Sequence, residues 1–167
     1  MDDVARSLAY EDICQLAARY AFAVDTRDLD TLVGLFVPNV RVGRDRTGRD
    51  ALRTSFDAQL RGIGRSILNV GTHVSDLIDA DHATGWVYTQ AEIEADGRWI
   101  HQAVLYEDRY ERIEADGWCF VRRIHELWYG AERGVNPIGL PPANWPEYHD
   151  GLGTVPERFA TWRAFWS

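Results

Sequence analysis

The chain has 167 residues, seven tryptophans and a formal net charge of −8. That length is enough for one buried core without metal or disulfide support. The acidity, with no basic stripe, excludes nucleic acid and anionic membrane surfaces as partners, because both need clustered Lys and Arg. No apolar run approaches the roughly 20 residues that span a bilayer. The opening MDDVARSLAY has neither the basic start nor the apolar centre of a signal peptide, so a cytoplasmic location is expected.

In chain order, residues 8–24 carry apolar side chains at Ile13, Leu16, Ala17, Tyr20, Ala21 and Val24, steps that fit one helical face, and Ser7 is a suitable cap. Asp25 follows, where the negative end of the helix macrodipole disfavours a carboxylate. Asp28 opens a second short helix through Leu29, Leu32, Val33 and Phe36, stopped before Pro38. Residues 40–43 read as a brief extended piece, and residues 48–60 as a third helix with Leu52 and Phe56 on one side.

Beyond Gly64 the composition turns to strand. Residues 67–78, 83–94, 98–112 and 118–128 are rich in branched and aromatic side chains. EADG occurs twice, ending at Gly97 and Gly117, and Asp-Gly between strand-like runs marks a hairpin. A third hairpin is expected with Asp79 paired to His82. These connections predict a four-stranded antiparallel meander. Residues 130–153 are rich in Gly and Pro and read as a surface wrap. Thr154 and Glu157 have capping-box spacing ahead of a closing helix that aligns Phe159, Trp162 and Trp166. That stripe, with Trp145 in the tail, is expected to complete a pocket or an interface.

Helices followed by a long curled sheet make an α+β plan, with the helices capping the concave face over an internal pocket. Residues 1–130 form the α+β barrel domain. Residues 131–167 are a C-terminal extension with a short aromatic helix, part of the same domain or an oligomer interface. The sheet's other face needs covering, so a homo-oligomer is expected. Cys14 and Cys119 are far apart and lack CxxC spacing, so two reduced, buried thiols are expected.

The run YAFAVDTRDLDTLVGLF, the GRDAL start of the third helix, the histidine of NVGTHVSDL and the DGWCFVRR strand together resemble the SnoaL-like branch of the nuclear transport factor 2 superfamily, over roughly residues 8–128. The branch includes scytalone dehydratase, bile acid 7α-dehydratase and gamma-hexachlorocyclohexane dehydrochlorinase. The resemblance implies a cone-shaped barrel, a trimer or dimer, and a catalytic Asp at the end of the first helix paired with a His on the first long strand. Asp25 and His73 occupy those places, and Tyr20 matches the Tyr that precedes the Asp by five residues in the bile acid enzyme. A Tyr directly before the Asp, as in scytalone dehydratase, is replaced here by Val24.

A carboxylate on one imidazole nitrogen fixes the tautomer and leaves the other as a base near neutral pH. Such a dyad suits proton removal beside a carbonyl or a leaving group. The expected function is a cofactor-independent lyase or dehydratase acting on a hydrophobic cyclic small molecule, such as a steroid, polyketide or aromatic catabolite. The alternatives are an isomerase or polyketide-type cyclase with the same base, or a non-catalytic binding or scaffold member like the small subunit of ring-hydroxylating dioxygenases. The bland alternatives for the site are a local pairing of Asp25 with Arg27, a half-buried structural His73 and a plain core Tyr20. Trp86, Tyr88, Tyr106, Arg123 and His125 are expected substrate contacts. Tyr88 is placed opposite His73 by the Asp79–His82 turn, and Tyr106 is preferred to Trp99 as the inward aromatic of its strand. The five histidines show no metal-ligand spacing, and no phosphate loop or nucleophile elbow is present, so no cofactor or metal is expected.

Overall fold

The computed structural model describes residues 1–143, 146–147 and 149–167, so the expectation for Trp145 lies outside the described residues. Helix α1 (Asp3–Thr26) starts earlier than Ser7: Asp2 caps it, its carboxylate accepting from the Ala5 N–H at 2.8 Å. Of the expected stripe, Ile13, Leu16, Ala17, Ala21 and Val24 are buried and Tyr20 is half-buried. Cys119 is a buried free thiol as expected, but Cys14 is exposed on α1. Asp28 caps α2 (Leu29–Gly34) by accepting from the Thr31 N–H at 3.0 Å. The extended piece pairs as a two-residue hairpin, β1 (Arg41–Val42) with β2 (Arg46–Thr47), and leads into α3 (Arg49–Arg61).

The second half is the expected meander: β3 (Ser66–Leu77), β4 (His82–Ala95), β5 (Arg98–Ile113) and β6 (Gly117–Glu132), neighbours in that order and all antiparallel. The two EADG turns differ. At the first, Asp96 (φ 52°) and Gly97 (φ 72°) are both left-handed, as a two-residue hairpin requires. At the second only Gly117 is (φ 75°), and Ile113 pairs with Gly117 around a three-residue loop.

The first hairpin corrects the expected register. The Ile78 N–H bonds the His82 carbonyl, and Leu77 pairs with Ala83, one position away from an Asp79–His82 pairing. Asp79 instead caps the loop, accepting from the N–H groups of Asp81 and His82, each at 2.8 Å. His73 therefore stands opposite Val87, not Tyr88. A slip of one residue exchanges the two faces of a strand. Trp86 and Tyr88 accordingly point away from the helices, 43% and 46% exposed, so neither lines a pocket beneath them.

The helices cover the inner face. Ala17 of α1 packs on Val87, Val104 and Tyr106, with Tyr20 and Val70 beside them. Ile13, Leu16, Phe36, Leu52, Tyr110 and Phe120 belong to a second cluster. Together these elements form the α+β cone.

After β6 the chain turns back as an arm, whose described residues between 133 and 159 lie over the outer face of the sheet. The Arg133 N–H bonds the Trp99 carbonyl, and the Asn136 amide donates to the Gly97 carbonyl at 2.9 Å. Thr154 and Glu157 do not cap a helix. The closing helix α4 (Ala160–Trp166) begins after Phe159, while Glu157 forms an ion pair with Arg65. The buried aromatics of α4 are Trp162, which belongs to the expected stripe, and Phe165, one residue before the expected Trp166, which is 41% exposed. Phe165 joins Val24, Leu29 and Leu60 in a third cluster.

Candidate functional site

Asp25 sits in the last turn of α1, beside the free edge of β3. Its two oxygens accept from the Ser66 hydroxyl and the Leu68 N–H, both at 2.9 Å. Arg27, left-handed at the helix C-cap (φ 57°), reaches under it: its guanidinium donates to the Ser66 hydroxyl at 3.0 Å and to the carbonyls of Val24 and Gly64. The Arg27 guanidinium also lies 4.8 Å from the Trp162 ring centre. These donors offset the unfavourable helix dipole. Burial nevertheless dominates and pushes the Asp25 carboxyl up to about 6, against the opposing pull of Leu68, Ser66 and Arg27. Burial likewise lowers Arg27 to about 10, with Asp25 acting in the other direction.

His73 is not at this carboxylate. Leu68 and His73 are five residues apart on β3, about 16 Å of extended strand. His73 belongs to a different network. Arg123 donates to the two oxygens of Asp108 at 2.8 and 2.7 Å, and the Tyr110 hydroxyl donates to Asp108 at 2.8 Å. The Tyr110 oxygen is then left to accept from His73 Nε2 at 3.1 Å, which makes Nδ1 the bare nitrogen. That Nδ1 is buried with no hydrogen-bond partner among the described residues. Burial lowers the His73 pKa, the Asp108 charge raises it and the Arg123 charge lowers it. The dyad implied by the resemblance is therefore not formed.

Tyr20, Tyr106 and Arg123 meet on the inner face, but in a packed cluster. Tyr20 lies 5.8–6.4 Å, ring centre to ring centre, from Phe36, Phe56, Tyr106 and Phe120. The Arg123 guanidinium is 4.2–4.4 Å from the ring centres of Tyr20, Tyr106 and Phe120. Burial opposes the charge on Arg123, yet the Asp108 bonds outweigh it and hold its pKa above the ordinary value. Burial pushes the Tyr20, Tyr106 and Tyr110 hydroxyls up. The space beneath the helices is thus filled with rings where an open chamber was expected. His125 is exposed on the edge strand, its ring 5.5 Å from that of Tyr106.

Asp25 borders a cavity of about 500 Å³ between the end of α1, the start of β3 and the arm. Phe22, Ile67 and Trp99 form its domain side, and Ile138, Leu152, Val155 and Phe159 its arm side. The polar wall is Asp25, Ser66, Arg65 and Glu92. Arg65 bridges Glu94 at 3.3 Å and Glu157 of the arm. Glu92 accepts from the Trp99 indole at 2.6 Å and from Arg133 at 3.0 Å. Sequence reasoning named Asp25, and placed Phe159 in a stripe expected to complete a pocket or an interface, but missed Arg65, Ser66, Glu92 and the rest of this lining. The signal present was the alternation at the start of β3, which puts Ile67 on the face opposite Ser66. A second hollow, about 440 Å³ between α2, α3 and α4, is lined by charges that pair with one another, Asp30 with Arg53 and Asp57 with Arg61.

The family model of the SnoaL-like domain matches residues 5–124. The chain belongs to the SnoaL-like domain family. Solved structures of the same fold include a type 2 hexachlorocyclohexane dehydrochlorinase (LinA), 18% identical, covering 83% of this chain and 100% of that one, with a TM-score of 0.73. The LinA type 3 enzyme of Novosphingobium barchaimii LL02 is 18% identical over 80% of this chain and 95% of that one, with a TM-score of 0.69. The scytalone dehydratase-like protein of Novosphingobium aromaticivorans DSM 12444 is 18% identical over 83% and 98%, with a TM-score of 0.69. No curated protein matches by sequence. The family match ends before the arm, so the half of the SnoaL-like protein's cavity built from residues 137–138 and 151–159 lies outside the matched domain. Among the described residues no helix is long and apolar enough to cross a membrane.

Proposed function

We propose that this SnoaL-like protein is a cofactor-independent lyase that binds a hydrophobic, cyclic small molecule in the cavity beneath the arm and moves a proton with Asp25. One observation carries the reading: a carboxyl group pushed up to about 6 borders an otherwise largely apolar cavity of about 500 Å³. A general base works best when its pKa lies near the operating pH. Half of Asp25 is ionised at pH 6, and the rest follows by neutrality. The ionised Oδ takes a proton from carbon beside a carbonyl or a leaving group. The electron pair left on that carbon forms the double bond as the leaving group departs with its own pair. The carboxylic acid then returns the proton to water or to the departing group.

The other polar groups suit this role. Ser66 and Leu68 fix the carboxylate plane, and Arg65 supplies the positive charge in the wall. The similar structures of a dehydrochlorinase and a scytalone dehydratase-like protein support elimination as the reaction type. A second reading, ligand binding without chemistry, is favoured by one fact: among the described residues Asp25 is bonded by Ser66 and Leu68, and His73 bonds Tyr110 instead.

A thermal-shift screen of steroids, polyketides and aromatic catabolites identifies a ligand, and product analysis of the hit then separates the readings. The lyase reading expects loss of water or of a halide, with kcat/KM rising through pH 6 and Asp25→Asn lowering kcat by about 10²–10⁴-fold. Full turnover in Asp25→Asn would end it. Binding with no product formed would leave the second reading.

A further inference from the structure

Helix α4 sets two consecutive residues on the end of α1. The Thr161 hydroxyl donates to the Thr26 carbonyl at 2.9 Å, which gives a donor to one of the carbonyls that a helix C-terminus leaves unpaired. Trp162 lies on Arg27, with the guanidinium carbon 4.8 Å from its ring centre. Phe165 packs into the third apolar cluster. Trp162 is 7% exposed, yet among the described residues it belongs to none of the three clusters. What it covers is a charge.

Arg27 is 2% exposed and forms no ion pair among the described residues. Its bonds go to neutral acceptors, the carbonyls of Val24 and Gly64 and the Ser66 hydroxyl, and its Nε has no partner among the described residues. A desolvated cation without a counter-charge is costly. The opposite charge that acts on it is Asp25, reached through Ser66. A guanidinium can only donate, so the Ser66 oxygen accepts from Arg27 at 3.0 Å and its single hydrogen is left for Asp25 at 2.9 Å. Arg27 thus fixes the direction of the bond that holds the carboxylate. The other charges of the cavity wall are engaged elsewhere, Arg65 with Glu94 and Glu157, and Glu92 with Arg133. Trp162 itself does not line the cavity.

We propose that Trp162 is a positioning residue for Asp25: it clamps Arg27 against the end of α1, and Arg27 through Ser66 holds the carboxylate at the cavity. The matched domain ends at residue 124, so this clamp is supplied by the C-terminal extension. Its place in the reaction rests on the lyase reading, but its hold on the carboxylate does not.

Carbon-13 NMR of the Asp25 carboxyl across pH tests it on the full chain, with circular dichroism confirming that each variant is folded. Losing a bond to the charged form raises a carboxyl, so Trp162→Leu should move the midpoint upward by about 0.5 pH or more. Trp162→Phe restores a ring face to the guanidinium and should return the midpoint towards the wild-type value. Ser66→Ala leaves α4 untouched and should raise the midpoint by itself. In the Ser66→Ala background Trp162→Leu should add nothing, because the two act along one path. No rise in Ser66→Ala, no rise in folded Trp162→Leu, a Trp162→Phe midpoint matching that of Trp162→Leu, or an equal rise in both backgrounds would overturn the proposal. None of these results touches the lyase reading, which full turnover in Asp25→Asn would end on its own.

Discussion

The carboxylate of Asp25 accepts the backbone N–H of Leu68 at 2.9 Å, so the end of the first helix is tied to the free edge of the first long strand. This contact settles what the acid does at the unfavourable end of a helix. It takes up an edge donor of β3 and, through Ser66, the charge of Arg27. The same burial that makes the contact raises the carboxyl to about 6, and the proposed proton transfer rests on that shift.

Stability should carry the mark of that raised value. The Asp25 pKa is about 6 folded against 3.8 for the free group, so the folded state holds the proton more tightly between those values. Its contribution is fully present below pH 3.8 and is lost as pH rises through 6, at most about 3 kcal/mol. Asp25→Asn removes this dependence. In urea unfolding, the variant should gain on the wild type between pH 4 and pH 7. A gap that stays constant or widens against the variant contradicts the assignment.

Removal of the imidazole separates the two networks. His73→Ala should leave turnover of an identified substrate within a few-fold of wild type, because His73 bonds Tyr110 and not Asp25. A loss matching that of Asp25→Asn, by about 10²-fold or more, would restore the two residues to one catalytic unit.

The buried pair Asp108–Arg123, with side chains 0% and 4% exposed, anchors the inner face. Asp108→Ala leaves the Arg123 charge uncompensated among Tyr20, Tyr106 and Phe120. Such a loss typically costs about 3–5 kcal/mol. A urea midpoint close to wild type would show that the guanidinium finds another partner.

Gly85 is required for space. A Cβ there would lie 2.7 Å from the Val74 carbonyl and 3.2 Å from the Tyr110 ring. Gly85→Ala must push on backbone and on the tyrosine that holds His73. The expected cost is about 1–3 kcal/mol by thermal unfolding.

Much of the architecture was legible because it rests on local signals. The spacing of Ile13, Leu16, Tyr20 and Val24 gives a helix face, and the Asp-Gly pairs give hairpins. The site was less so. Asp25 was found from its misplaced charge, but its partner is a backbone N–H, which has no signature in sequence. The positions of Trp86 and Tyr88 depended on whether residue 78 or 79 faces His82, one step that reverses both side chains. The arm's contribution hides in a Gly- and Pro-rich run with no period, and Arg65 meets Glu157 across 92 positions, beyond any local pattern. Tyr106 faces inward as its strand parity implied, and Tyr20 and Arg123 join it there. Their mutual packing, which fills the chamber, depends on volumes that no spacing reveals.

Carbon-13 NMR of the Asp25 carboxyl across pH, assigned with Asp25→Asn, tests the central claim without knowledge of the substrate. The account predicts a titration midpoint near pH 6, moved further when an apolar ligand fills the cavity. A midpoint at or below the ordinary aspartate value of about 4, unmoved by such a ligand, would contradict it.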